Sequence, residues 1–331
     1  MNRTRVALVG GVLGLLAALW LALVIGPGGV TSADAWTVLL GGQTSDMVRA
    51  LVWDLRLPRA LLAVVVGASL SLAGAVTQGL FRNPLAEPGV LGVSAGAAMA
   101  GAIGLAAGVD AAGPWAVGAL ACVGAVAVLI ALMAWARADA RLSTLILCGV
   151  AIASVCGAIT TLVLSFGIER WEVAVKVVRW LMGSFEGRSW THLGVGAGAL
   201  GLGITGAAWL RRDLDALGLG AQTAASLGVD LRQTWRGGIA VVGLLAGVCT
   251  ALTGVIGFVG LVVPHMARAA VGPGHARLLP ASALFGGALV LMVDLVTRSV
   301  DTLALPPGAL TSLLGTPVFL IVLWRLRAEV S

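Results

Sequence analysis

The amino-acid sequence predicts an all-α integral membrane protein with about ten transmembrane helices in one bundle. Three features of its composition predict this class. The 331 residues are 59% hydrophobic, only 11% are charged, and 47 are glycine. Soluble domains carry about 25% charged residues, so this chain has too few to cover a water-facing surface. Abundant glycine is typical of membrane helices whose backbones pack closely.

Apolar segments of about 20 residues, the length that crosses a bilayer, supply the individual helices. Clear segments lie at 6–26, 58–80, 90–109, 114–135, 143–167, 191–210, 278–298 and 309–324. The first of these is longer than a signal-peptide core. The uncharged stretch 237–263 is long for one span and short for two. We expect it to end in a short eighth span near 256–270, broken by Pro264.

Arginine placement indicates the number of spans and their orientation, because basic residues concentrate in cytoplasmic loops. With the N-terminus inside, two crossings within 237–271 leave a cytoplasmic excess of basic residues, whereas a single crossing leaves none. Ten spans with both termini cytoplasmic are therefore predicted. The same loop arginines account for the net charge of +6, so we infer no nucleic-acid partner from it.

One connecting segment, 171–183, is predicted to be a helix outside the bundle. It is too short to span a bilayer, and its apolar side chains recur at helical spacing. Trp171 and Trp180 suit the boundary between lipid and water. We therefore expect an amphipathic helix that lies on the outer surface of the membrane.

The longest cytoplasmic loop, 211–236, is predicted to form a helical hairpin. Asp213 can cap a first short helix, and Gly218 and Gly220 can end it. Gly228 can end a second one. Such a hairpin is either a docking surface for a soluble partner or a solvated connector, and the residues alone do not separate the two.

The sequence contains no catalytic motif, since the HExxH, GxSxG and GxxxxGK[ST] patterns are all absent. We therefore expect this chain neither to hydrolyse ATP nor to be an enzyme. Asp294 lies clearly within a span, and Arg298 follows four positions later on the same helical face. The two form either a self-neutralising pair or part of an ion-coupling site. Histidines and cysteines are scattered, so no metal site is predicted.

The second span and the turn after it carry the most informative pattern. Arg56 and Arg59 flank Pro58 at its start, which suits the water-facing entry of a helix. Its polar side chains either line a path or hydrogen-bond between helices: Ser69, Ser71, Thr77 and Gln78. A polar turn follows, with Asn83, Pro84, Glu87 and Pro88.

Seven blocks, in order along essentially the whole chain, resemble the permease subunits of the ABC importers that take up iron chelates, haem and cobalamin. The blocks are RLPR at 56–59, GASLSLAGAVTQGLFRNPLAEPGVLGVSAGA at 67–97, RWLMGS at 179–184, LGAQTAASLGV at 219–229, GVIGFVGLVVPHMAR at 254–268, RLLPASALFGGALVLMVDLVTR at 277–298 and LPPGALTSLLGTPVFLIVL at 305–323. The resemblance implies that 1–331 is a single transmembrane permease domain in a bacterial cytoplasmic membrane.

The resemblance also implies partners and a function. A second permease subunit, identical or related, would complete the pathway, and two cytoplasmic subunits would bind and hydrolyse ATP with magnesium. An extracytoplasmic protein would deliver the substrate, and this chain itself would hold no cofactor. A ferric siderophore is the first expectation for the substrate, with haem or cobalamin as alternatives. The rival from another class is an ion-coupled secondary transporter.

By motif, the resemblance maps three groups of site residues onto this chain. Docking of the binding protein maps to Arg56, Arg59 and Arg298. Coupling to the ATPase maps to Asp213, Leu217, Gly218, Gly220, Ala224, Leu227 and Gly228. The pathway and its turn map to Gln78, Asn83, Pro84, Glu87 and Pro88. The chain departs from the family pattern at Ala221 and Gln222, where an acidic pair is usual, and at Ala304, where a glutamate is usual.

Overall fold

The computed structural model describes residues 3–135, 142–167, 171–299 and 305–328. In these ranges the chain is helical, with no β-strand. Its α-helices there are α1 (Arg3–Val24), α2 (Ser32–Leu39), α3 (Asp46–Arg49), α4 (Leu57–Phe81), α5 (Val93–Ala106), α6 (Ala116–Trp135), α7 (Leu142–Gly167), α8 (Trp171–Leu181), α9 (Trp190–Gly218), α10 (Ala221–Ser226), α11 (Leu231–Thr253), α12 (Val259–Val271), α13 (His275–Ser299) and α14 (Pro307–Ala328). A π-helical segment, Ala50–Arg56, joins α3 to α4.

The all-α membrane class is confirmed, because seven helices in the described ranges are long and apolar enough to span a bilayer. Two further apolar helices are short: α5 has 14 residues and α12 has 13. A helix of that length falls short of the roughly 17 to 25 residues that cross a bilayer. The α-helix expected over 90–109 is thus limited to Val93–Ala106, and the span there, the count of ten and the cytoplasmic termini stay predictions.

Helix α4 is the centre of the bundle and is buried along most of its length against α9, α11, α12 and α13. Its glycines allow this packing. The backbone at Gly67 meets the carbonyl of Gly286 in α13, and Gly74 meets the carbonyl of Gly260 in α12, with no room for a β-carbon at either position. Close backbone approach at small residues is what stabilises helix pairs in lipid.

Pro58 lies in the first turn of α4, as predicted, but it is buried and helical residues precede it, so this start of the helix does not face water. The helical segment begins at Asp46 and runs without interruption to Phe81. A proline inside an α-helix lacks an N–H, and its ring clashes with the carbonyl four residues earlier. Here the wider π turn precedes the proline, with Leu57 N–H bonded to the Val52 carbonyl, and wider turns of this kind accommodate such an interruption.

The uncharged stretch 237–263 is broken, and the short helix expected near 256–270 is present as α12, but Pro264 does not break it. Pro264 lies inside α12, and the non-helical residues are 254–258. Gly254 has φ +76° and lies against the carbonyl of Trp180 too closely for any side chain. The Thr253 carbonyl accepts a hydrogen bond from Ser184 N–H at 2.7 Å instead of continuing the helix. Tertiary contacts with 180–184 therefore end α11.

The predicted helix at 171–183 is present as α8, with Val177 buried against the bundle and Trp171 exposed. Lys176 Nζ lies 2.7 Å from Asp110 Oδ2 and ties α8 to the turn between α5 and α6. This hydrogen bond lowers the pKa of Asp110 and raises the pKa of Lys176. The position of α8 on the outer surface of a membrane stays a prediction.

Candidate functional site

The two ends of the bundle carry its polar groups. The arginine end is defined by Arg56, Arg59 and Arg298, and the hairpin end by residues 211–236. Helix α4 runs from the first to the second, because it begins beside Arg56 and its Gly79 lies against His275 and Leu214 near the other.

Asp294 is the centre of the arginine end. Its carboxylate is fully buried and accepts hydrogen bonds from Arg59 Nε at 3.0 Å and Arg59 Nη2 at 2.8 Å. Arg298 Nε lies 3.2 Å from the other carboxylate oxygen. The predicted Asp294–Arg298 pair is present, but the stronger partner is Arg59. No local pattern reveals that contact, since Arg59 and Asp294 are on different helices.

Arg56 occupies a different environment from the other two arginines. It is 5% exposed, and its guanidinium donates to four carbonyls at the end of α1: Leu23 (2.6 Å), Val24 (3.0 Å), Gly26 (3.1 Å) and Pro27 (2.9 Å). A cation at the C-terminus of a helix satisfies carbonyls that have no partner within it. Arg56, which was expected at an exposed rim, is therefore buried in the fold and caps the end of α1.

The cluster of Arg56, Arg59, Arg298 and Asp294 nevertheless keeps an excess of positive charge, because Arg59 and Arg298 share one carboxylate and Arg56 is bonded only to backbone carbonyls. Arg59 has a side chain that is 19% exposed, while that of Arg298 is 9% exposed. Arg298 Nη1 donates to the Ala22 carbonyl at 3.3 Å, and its Nη2 has no partner in the described residues. Of the three predicted docking residues, Arg59 is the most accessible. Docking itself stays a prediction.

The polar side chains of α4 are buried inside the single chain. Gln78 Nε2 donates to the Leu261 carbonyl at 3.1 Å, and its Oε1 accepts from Arg268 Nη1 at 3.1 Å. Thr77 Oγ1 donates to the carbonyl one turn earlier. Ser69 and Ser71 are also buried. Of the two roles that the sequence allowed, hydrogen bonding between helices therefore describes Gln78, which joins α4 to α12.

The predicted turn after α4 leads into a segment that contacts the start of α12. Asn83 Oδ1 accepts from Leu85 N–H at 2.9 Å, and Pro84 is exposed beside it. Glu87 Oε1 then accepts from Phe258 N–H at 3.0 Å, and Pro88 lies against Gly260. Gly260 packs against Gly74 in the middle of α4, so the segment that follows the turn lies inside the bundle. It places the Glu87 carboxylate at the start of α12. A negative group is stabilised at that end of a helix.

The hairpin end differs from its prediction at the start. Asp213 caps no helix, because α9 continues through it to Gly218. Its carboxylate instead accepts from Thr234 Oγ1 at 3.0 Å, which links α9 to α11. A second link, missed by the sequence reasoning, joins Asp215 Oδ1 to His275 Nδ1 at 2.6 Å and to His275 N–H at 2.9 Å.

The remainder of the hairpin agrees with the predicted stops. Helix α9 ends at Gly218, Gly220 with φ +117° precedes the short α10, and Gly228 with φ +88° follows it. Leu217 and Ala224 are buried and hold the hairpin together.

Two large apolar side chains of the hairpin are exposed. Leu219 is 67% exposed and Leu227 is 64% exposed. Ala221 and Gln222, which depart from the family pattern, begin α10, while Ala304 lies outside the described residues.

The described residues hold no group of three histidine, cysteine or acidic side chains that could bind a metal ion. Their cysteines are Cys122, Cys148, Cys156 and Cys249, all free thiols that are buried or half-buried in apolar helices.

The comparisons with known proteins cover nearly the whole chain. The model of the FecCD transport family matches residues 14–325. The chain belongs to the FecCD transport family. It is 40% identical to the vitamin B12 import system permease protein BtuC of Yersinia enterocolitica, over 95% of this chain and 92% of the relative. It is 36% identical to the BtuC protein of Shigella boydii, over 95% and 93% of the two chains.

A solved structure supports the same assignment. It is described as "An inward-facing conformation of a putative metal-chelate type ABC transporter". The TM-score is 0.86 at 29% identity, and the match covers 97% of this chain and 99% of that one. The resemblance inferred from the seven blocks is thus confirmed: this is a permease of the type II ABC importers, and so a multi-pass membrane protein.

Proposed function

We propose that this chain is the membrane-spanning permease subunit of an ATP-driven importer that carries vitamin B12 or a closely related cobalt corrinoid into a bacterium across its cytoplasmic membrane. The single observation that carries the proposal is the full-length similarity to BtuC proteins, at 36–40% identity. The iron chelate favoured from the sequence becomes the second candidate. It keeps support from the solved structure described as metal-chelate type.

The packing of the bundle supports a pathway between two permease subunits. Helix α4 fills the centre of the described part of the chain, where most of its residues are buried. Helix α7, by contrast, is apolar and largely uncovered, with Leu147, Leu162 and Phe166 more than half exposed. A second permease subunit against this face would enclose a space large enough for a bulky substrate.

The hairpin end supports coupling to a separate ATPase. The chain has no phosphate-binding loop of its own. Exposed Leu219 and Leu227 offer an apolar contact, and the links from Asp213 to Thr234 and from Asp215 to His275 connect this end to α11 and α13. ATP and magnesium would therefore be bound by two partner subunits, whose movement reaches the bundle through the hairpin.

The arginine end supports docking of an acidic binding protein from the other side of the membrane. Two of its positive charges are not balanced by Asp294, and Arg59 is partly accessible. Complementary charge speeds and orients protein association. Ion coupling through Asp294 is disfavoured, because two guanidinium groups already neutralise this carboxylate.

The test is uptake by the complete complex, captured through a tag on this chain from its native membrane and placed in lipid vesicles. With ATP supplied to the ATPase side and the co-purified binding protein on the other, we expect accumulation of labelled cyanocobalamin and little of a ferric siderophore. Preference for the siderophore would replace the substrate and keep the class. Uptake by this chain alone without ATP would overturn the class.

A further inference from the structure

A cavity of about 500 Å³ lies at the hairpin end, between the end of α4, the last turns of α9 and the connection from α12 to α13. It is open at the surface of the bundle, and Asn83, Pro84 and Leu219 are exposed residues of its wall. Its charged and titratable side chains are Arg82, Asp215, Arg268 and His275. The cavity therefore joins the turn after α4 to the predicted coupling segment.

The two arginines of the cavity carry charges that no carboxylate in the described residues pairs with. Arg82 is exposed and follows the last residue of α4 with φ +50°. Arg268 on α12 is half-buried, and its Nη1 donates to the neutral amide of Gln78 at 3.1 Å. Neither guanidinium group forms an ion pair in the part of the chain that the structure describes.

Asp215 is the carboxylate among the described residues of the wall, and α13 already holds it. Its Oδ1 accepts a hydrogen bond from His275 N–H at 2.9 Å and lies 2.6 Å from His275 Nδ1. A carboxylate is stabilised at the start of a helix in this way. Two guanidinium groups and one engaged carboxylate leave the wall positive in either protonation state of His275. The cavity therefore attracts a negatively charged occupant.

The apolar part of the hairpin adjoins this positive cavity. Leu219 is 67% exposed and forms part of the wall, and Leu227, which is 64% exposed, follows α10. A protein that covers Leu219 therefore also meets the mouth of the cavity. A free anion would use the charge alone, whereas a side chain of a docked protein uses the charge and the apolar contact together. This combination favours a protein as the source of the negative group.

From this arrangement we propose that the cavity receives an acidic side chain of the cytoplasmic ATPase subunit, whose carboxylate binds Arg82 and Arg268. The inference rests on the proposed function, which places the ATPase at the hairpin end. A guanidinium group binds a carboxylate through two parallel hydrogen bonds, which fix orientation as well as distance. The contact thus sets where the ATPase sits on the hairpin, beyond the apolar contact at its leucines.

The first test identifies the occupant by crosslinking the complex of permease and ATPase with a water-soluble carbodiimide. Arg82→Lys places an amine in the cavity, and carbodiimide joins an amine to a carboxylate in contact with it as an amide. The lysine already in the sequence, Lys176, is distant on α8 and bonded to Asp110. We expect mass spectrometry to find the amide on an aspartate or glutamate of the ATPase subunit. Arg277→Lys is the matched control, since Arg277 is exposed on α13 and does not line the cavity.

The second test measures the apparent Kd of the ATPase for the permease in lipid nanodiscs. Arg82→Gln should weaken association about two- to fivefold, the range for an ion pair that stays partly exposed, with Arg277→Gln close to the unmodified protein. The difference should decrease as salt is raised, because exposed charges are screened.

Two groups of outcomes separate this inference from the proposed function. The inference is overturned by equal crosslinking in Arg82→Lys and Arg277→Lys, by an amide to a carboxylate of this chain, or by unchanged association in Arg82→Gln. It is also overturned if millimolar inorganic phosphate abolishes the crosslink while the ATPase stays bound, since the occupant is then a free anion. All of these leave an ATP-driven importer in place, whereas failure of any ATPase to bind the permease would overturn the proposed function itself.

Discussion

Arg59 and Asp294 are 235 positions apart in the sequence, and two nitrogens of the arginine meet the carboxylate at 2.8–3.0 Å. The contact joins the start of α4 to the end of α13, the two helices that also meet through Gly67 and Gly286. Asp294 further binds Arg298 on its own helix. One buried carboxylate therefore holds the arginine end together while leaving it positively charged.

Asp294→Asn should destabilise the chain strongly, because it leaves two guanidinium groups without a counter-charge. Breaking a buried ion pair by removing one partner costs about 3–5 kcal/mol. We expect a lower thermal midpoint in detergent for Asp294→Asn, and a smaller decrease for Arg59→Gln, whose side chain is partly exposed. A double variant whose loss equals the sum of the two single losses would show that the pair does not interact.

Arg56 should contribute to stability even in the absence of any binding protein. Its four hydrogen bonds to carbonyls at the end of α1 predict that Arg56→Gln destabilises the isolated chain by about 1.5–3 kcal/mol, the range for bonds to charged groups. The measurement is thermal unfolding together with hydrogen exchange of residues 20–30. Arg49→Gln is the control, since Arg49 is exposed at the same end. Unchanged stability in Arg56→Gln would contradict this capping role and leave docking as the role predicted for Arg56.

The sequence analysis predicted the helix ends that depend on neighbouring residues, and it was wrong where a contact distant in the sequence determines where a helix ends. Gly218, Gly220 and Gly228 end or flank helices as expected, because their signals are local. Pro264 was expected to break the short helix near 256–270, but it lies inside α12. The break is at 254–258, where the Trp180 carbonyl, far away in sequence, approaches Gly254.

The charged residues show the same difference between local contacts, which were predicted, and contacts distant in the sequence, which were not. The Asp294–Arg298 pair follows from helical spacing, whereas the partner of Arg59 depends on which helices become neighbours. The burial of Arg56 likewise depends on where α1 ends.

Gly74→Ala should separate packing from helix propensity. Alanine stabilises a helix by about 0.5–1 kcal/mol relative to glycine, so a gain is expected wherever space is free. Gly10 in α1 has nothing within 4 Å, and Gly10→Ala should be neutral or stabilising. At Gly74 a β-carbon would overlap the Gly260 carbonyl, and overpacking costs about 1–3 kcal/mol. Thermal midpoints of the two variants should therefore move in opposite directions, and a stabilised Gly74→Ala would refute the α4–α12 contact.

The Lys176–Asp110 bridge should make the attachment of α8 depend on pH. The pKa of Asp110 is lowered by its bond to Lys176, so the bridge is present above the ordinary carboxyl pKa of about 3.9 and is lost as pH falls through the lowered value. We expect hydrogen-exchange protection of 171–181 to be higher in the unmodified chain than in Asp110→Asn at pH 6.5. The difference should decrease only as pH falls below about 3.9 and through the lowered pKa of Asp110. A difference already lost by about pH 5 would assign the effect to something other than ionised Asp110.

Gly228→Val tests the hairpin through backbone conformation alone. Gly228 has φ +88° and Gly218 has no positive φ, yet both are exposed, and a β-carbon at either position would meet nothing within 4 Å. Left-handed backbone costs an ordinary residue about 1–2 kcal/mol, and a β-branched side chain is poorly tolerated there. Gly228→Val should therefore distort the turn after α10, while Gly218→Val should only mildly weaken the end of α9.

If the hairpin couples the permease to its ATPase, Gly228→Val should lower transport-coupled ATP hydrolysis in the reconstituted complex, with Gly218→Val close to the unmodified protein. Equal activity of both variants would place the coupling contact elsewhere.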